Sequence, residues 1–135
     1  MLPPNAKDRD GHLIRASKKQ VLLVEDSWHV ATAIQAVLEQ MGLAILGPAA
    51  SLSRAEALLA LSLPDAAIID LNIKRQMSYA LVDRLLAAQV PVLIVSGYAD
   101  LGPLEGRVAA MLDKPLDAKH LRSALERILP LEGGG

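Results

Sequence analysis

With 135 residues, 52% of them hydrophobic, the chain can close one core but is too short for two domains. Its 14 basic and 15 acidic residues leave a net charge of −1, no excess with which to neutralise a phosphate backbone, so nucleic acid is not expected as a direct partner. Cysteine is absent, which excludes disulfides and thiolate metal sites and makes an intracellular, cytoplasmic location the default expectation.

Residues 1–17 carry prolines and mixed charges without the apolar core of a signal peptide, and are expected to form a flexible arm before a domain spanning 18–131. QVLLVE, Gln20 to Glu25, is a short continuous apolar run. The next segment changes to helical spacing, with Val30, Ile34, Val37, Leu38 and Met41 on one face, Ser27 placed to cap it and Gly42 to end it. LAILGP is a second strand candidate, and SLSRAEALLALS a second helix in which Ser53 and Glu56 have capping-box spacing. DAAIID follows as a strand, Leu71 to about Met77 as a loop, and about Ser78 to Ala88 as a helix carrying Leu81, Leu85 and Leu86.

PVLIVS is the fourth strand, leading into YADLGPLEG, where the Gly102-Pro103 pair interrupts any long helix. A fifth strand is expected from about Arg107 to Leu112, then a last helix, DAKHLRSALERIL. Residues 132–135 carry no folding signal and are expected as a disordered tail. Five continuously apolar strands alternating with helices imply an α/β fold whose parallel sheet is covered on both faces. No apolar run approaches the ~20 residues of a membrane span, so no membrane partner is expected.

In such a sheet functional groups gather at the carboxyl ends of the strands. Those ends carry Glu25 and Asp26, Asp70, Ser96, and Lys114. Singly, each has an ordinary explanation: Asp26 favours a helix N-terminus, Asp70 accepts loop N–H groups, Ser96 is a turn residue before Gly97, and Lys114 is solvated. Those explanations do not account for three acids, a hydroxyl and an amine sharing one edge. Three carboxylates within ~4–6 Å repel by several kcal/mol at an effective dielectric near 20, so they require a cation or a raised pKa. A hard divalent ion with oxygen ligands answers that requirement. Asp70, kept ionised between such an ion and Lys114, is a nucleophile suited to phosphoryl groups.

VLLVEDS, IIDLN, LIVSGY and LDKP resemble the four signature segments of response-regulator receiver domains, over about Lys18 to Leu129. The resemblance implies a flavodoxin-like doubly wound five-stranded sheet in order 2-1-3-4-5 with an irregular fourth helix. It implies a phosphoryl group accepted by Asp70 from the phosphohistidine of a sensor histidine kinase or phosphotransfer protein. It also implies Mg2+ held by Asp26, Asp70 and the Asn72 carbonyl, with Glu25 acting through water. Ser96 becomes the switch hydroxyl, Gly97 leaves room for the phosphoryl group, Lys114 pairs with it, and Lys114-Pro115 is a cis peptide.

VSGYAD and DLNI further resemble stand-alone receivers with an aromatic-Ala-Thr-Gly-Tyr type motif on strand four, although Val95 departs from that motif. Output is then expected through a downstream protein partner, from a monomer or weak homodimer, with slow self-dephosphorylation as the only catalysis. Met111 stands where many receivers carry an aromatic switch residue, so a ring rotation there is unavailable, and Tyr98 substitutes only in part. Two rivals are a receiver-like scaffold that is never phosphorylated and an aspartate-nucleophile phosphatase; the latter needs a second acid two residues on, where Asn72 stands. The first-turn residues Trp28 and His29 and the helix-start residues Ser78 and Tyr79 are assigned no chemistry.

Overall fold

A computed structural model describes residues 18–97 and 101–129. The expected arm (1–17), the expected tail (132–135) and Tyr98 lie outside the described residues.

Each apolar run forms a strand: β1 (Gln20–Val24), β2 (Ala44–Ala49), β3 (Ala66–Asp70), β6 (Val92–Ser96) and β7 (Ala110–Asp113). They pair in parallel in the order β2-β1-β3-β6-β7, which is the 2-1-3-4-5 order expected for the main sheet. Helices α1 (Trp28–Gln40), α2 (Leu52–Leu59), α3 (Tyr79–Ala87) and α4 (Ala118–Ile128) cover it. The continuous apolar character has a direct use, because alternate side chains enter two different cores. Val21, Leu23, Ile68, Leu93 and Val95 pack with Ile34 and Leu38 of α1 and Leu121 and Leu125 of α4. Leu22, Val24, Ile69, Val92 and Ile94 face the other way, onto Leu58 of α2 and Leu81 and Leu85 of α3. Each fully buried aliphatic side chain of this kind contributes ~1.5–3 kcal/mol of transfer free energy.

Three local expectations need correction. The second helix is capped by Ser51, whose hydroxyl accepts Arg54 N–H at 3.1 Å, and not by a Ser53–Glu56 box, because the helix already begins at Leu52. The expected loop after Leu71 contains a small antiparallel hairpin, β4 (Asn72–Ile73) against β5 (Gln76–Met77), anchored by the fully buried Ile73. The last strand starts at Ala110 rather than Arg107, because Arg107 N–H bonds back to Leu104 in a turn completed by Gly106 at φ +79°.

Among the described residues between β6 and β7 the only helical turn is a 3-10 turn, Gly102–Leu104. The irregular fourth helix anticipated there is thus reduced to one turn. Leu104 is buried and Val108 packs on the α2/α3 side of the core, so the segment is anchored by side chains rather than by a helical ladder.

Candidate functional site

Strand order reverses between β1 and β3, and the strand ends at that reversal carry the charged groups. Asp70 ends β3, Glu25 and Asp26 follow β1, Ser96 ends β6 and Lys114 follows β7. Carboxylate oxygens of Glu25, Asp26 and Asp70 lie within 4.8 Å of one another. Asp70 and Glu25 are buried, and Asp26 is exposed.

Both oxygens of Asp70 are engaged: Oδ2 accepts Lys114 Nζ at 2.8 Å, and Oδ1 accepts the Asn72 N–H at 3.1 Å. Lys114 is aimed here by the β6–β7 pairing, with its own N–H on the Ser96 carbonyl at 3.0 Å, and Lys114–Pro115 is the expected cis peptide. Its Nζ also stands 3.0 Å from Glu25 Oε1. That is an ion-pair distance without hydrogen-bonding direction, so Oε1 is a buried acceptor with no hydrogen-bond partner. Glu25 Oε2 accepts the Ser27 N–H at 2.9 Å, and Asp26 Oδ2 accepts the Lys74 N–H at the hairpin tip, also at 2.9 Å.

An orphaned buried carboxylate oxygen inside an all-oxygen, acidic cluster fits a hard divalent cation such as Mg2+. The donor set offers nothing to softer, nitrogen- or sulfur-seeking metals. Asn72 is exposed beside Asp70, Ser96 is buried, and the space where a side chain at Gly97 would project is open. All seven residues singled out in the sequence therefore fall at one edge of the sheet. Trp28, 73% exposed, lies on the first turn of α1 with its ring edge-on to His29 at 5.2 Å, outside this cluster. Met111 is half-buried against the α2/α3 side of the core.

Burial pushes the Glu25 carboxyl above its ordinary range, against the opposing pull of the Ser27 N–H and Lys114, and the Asp70 charge adds to the rise. Burial alone would lower the Lys114 ammonium, but the hydrogen bond to Asp70 and the charges of Asp70 and Glu25 outweigh it and hold its pKa above 10.5. Linkage gives each a sign. The stabilisation from Lys114 is complete below its unfolded pKa and disappears only as pH rises through the raised folded value, so it is fully present at neutral pH. For Glu25 the favourable contribution is complete below 4.5 and is lost as pH rises through its raised folded pKa, so the ionised form is costly at neutral pH without a cation. Glu25→Gln is accordingly expected to raise Tm at pH 7 in chelator. Thermal melts from pH 4 to 8 check this: the gain should shrink toward pH 4, and a gain independent of pH would contradict it.

The structure also brings in two groups to which the sequence assigned no role. Ser78 is fully buried with its hydroxyl on the Asp70 and Leu71 carbonyls, and the Lys74 N–H rests on Asp26. A serine before an apolar helix looks like a cap, and a backbone N–H has no residue signature, so neither contact leaves a signal in the sequence.

A family profile described as the response regulator receiver domain matches residues 21–126. No curated protein sequence matches the chain. Among solved structures, a CheY-like response regulator receiver domain from Methylobacillus flagellatus is 30% identical at a TM-score of 0.73, covering 83% of this chain and 99% of that one. SdrG from Sphingomonas melonis Fr1 is 26% identical at a TM-score of 0.72, covering 83% and 97% respectively. The receiver domain of the PhyR response regulator from Erythrobacter litoralis shares the fold at a TM-score of 0.76 and 20% identity, over 87% of this chain and 95% of that one.

Proposed function

The chain belongs to the response regulator receiver family, the phosphoacceptor signalling domains of two-component systems, and from that premise we propose that Asp70 is its phosphoacceptor. The observation that carries the reading is the Asp70–Lys114 contact at 2.8 Å beside two further acids. In this reading an ionised Asp70 oxygen attacks the phosphorus of a phosphohistidine on a sensor kinase or phosphotransfer protein. The new bond is Oδ–P, the bond that breaks is P–N, and the imidazole departs.

Lys114, 2.8 Å from Asp70 Oδ2, holds the carboxylate in place beforehand and meets a non-bridging phosphoryl oxygen afterwards. The Ser96 hydroxyl and the Gly97 N–H supply donors to the others. Mg2+ would be held by Asp26, Asp70 and the Asn72 carbonyl, with Glu25 acting through water, and when bound it supplies charge neutralisation for the phosphoryl oxygens. Slow self-dephosphorylation is the only catalysis in this account. The protein acts in the cytoplasm as a monomer or weak homodimer, and its output is contact with a downstream protein.

The signal leaves through the chain that follows Ser96. The 3-10 turn Gly102–Leu104 and the neighbouring glycines give that segment little helical strength of its own. Half-buried Met111 accommodates several packings where a ring would specify one. Phosphorylation is expected to order the segment into a partner surface with β7 and α4. The test uses a donor protein carrying phosphohistidine: with Mg2+ the label should pass to this chain, and amide exchange in Tyr98 to Gly106 should slow more than in α1 or α2. No transfer sinks the function, and equal protection of the segment before and after transfer places the output surface elsewhere.

A further inference from the structure

Four α-helices begin in the described residues, and three are capped by their own N-cap side chain: Ser27 accepts Val30 N–H, Ser51 accepts Arg54 N–H, and Asp117 accepts the N–H groups of Lys119 and His120. Ser78, at the same place before α3, makes no such bond. Its hydroxyl turns back and shares its one proton between the Asp70 carbonyl at 2.9 Å and the Leu71 carbonyl at 3.1 Å, while its N–H donates to the Leu71 carbonyl at 2.9 Å. The residue is completely buried, so water cannot replace either contact.

A capping serine is normally worth about 1 kcal/mol to its own helix, so the diverted hydroxyl forgoes a usual gain. What it secures is the turn after β3. The opposite side of that turn is held less firmly, since the Leu71 N–H reaches the Val95 carbonyl at 3.4 Å. The same short turn carries Asp70 and Asn72, whose N–H bonds to Asp70 Oδ1 at 3.1 Å. The orientation of the carboxylate toward Lys114 and that of the Asn72 carbonyl therefore follow from where these two peptide units are pinned.

We propose that Ser78 is a positioning residue for Asp70, its buried hydroxyl fixing the Asp70 and Leu71 carbonyls so that the carboxylate faces Lys114 and the acidic cluster. The proposal rests on the phosphoacceptor reading, and its test separates the two. Ser78→Ala removes the hydroxyl donor from these carbonyls and loosens the turn, which should lower the maximal rate of phosphoryl acceptance from an acyl phosphate about tenfold. The donor concentration for half-maximal rate should barely change, because Ser78 touches no donor. Mg2+ affinity, titrated with no phosphoryl donor present, should weaken about tenfold, the lower end of what loss of a second-layer ligand support usually costs.

Ser51→Ala is the control, removing a serine hydroxyl that caps α2 and bonds to Arg54 N–H and Ser53 rather than to the turn that carries Asp70; it should lower Tm and leave both readouts alone. A Ser78→Ala protein within about twofold of wild type in rate and Mg2+ affinity, or a Ser51→Ala protein that moves them equally, overturns the proposal. Should Ser78→Ala not fold, Ser78→Cys, a weak donor of similar size, is read by the same criteria. If the wild-type protein takes up no phosphoryl group, the phosphoacceptor reading fails, and the Mg2+ titration alone decides the role of Ser78.

Discussion

Asp70→Asn is expected to take up no phosphoryl group from a phosphodonor that labels the wild-type protein, with the fold preserved. The amide matches the carboxylate in size and still offers an oxygen to the Asn72 N–H, the partner Asp70 Oδ1 has now at 3.1 Å. What disappears is the nucleophilic charge, and a neutral amide oxygen does not attack phosphorus at a useful rate. Lys114 keeps an anionic neighbour in Glu25, 3.0 Å away, so the change in stability should stay near ~1 kcal/mol. Intact mass and a thermal melt on the same sample check both halves, and equal labelling of the variant would remove Asp70 from the account.

Asp26→Ala should cost the protein at least about tenfold in Mg2+ affinity, or ~1.4 kcal/mol, because the one exposed member of the acidic trio is the easiest for a hydrated cation to reach. Phosphoryl uptake should fall with it. Stability in chelator should change by only ~0.5 kcal/mol, since the Lys74 N–H that loses its acceptor is itself exposed to water. Isothermal titration with Mg2+ distinguishes the outcomes. Unchanged affinity would mean that the acids form an ion-pair cluster around Lys114 and not a cation site.

The strands were legible because burial on both faces demands unbroken apolar runs, and the two cores divide Leu22 from Leu23 and Ile68 from Ile69 as strand geometry requires. The site was legible for a related reason: an acid, a hydroxyl or an amine at the end of such a run has no packing role to explain it. The hairpin after Leu71 was not. Its tip residues Lys74 and Arg75 adopt φ of +50° and +66°, a conformation usually advertised by Asn or Gly, and neither residue type signals it. The start of the last strand was hidden for the opposite reason, because Val108 continues the apolar pattern while Gly106 has already turned the chain. Ser51, Ser53 and Ser78 show the limit at single residues: which serine caps, and which turns its hydroxyl elsewhere, depends on where the helix begins.

The most direct measurement is intact-mass spectrometry of the wild-type protein after incubation with an acyl phosphate, with Mg2+ and with chelator, followed by peptide mapping of any adduct. A single phosphoryl adduct that forms with Mg2+, fails to form in chelator and maps to the peptide containing Asp70 is the result predicted. No adduct under either condition, or one that maps elsewhere, would contradict the account.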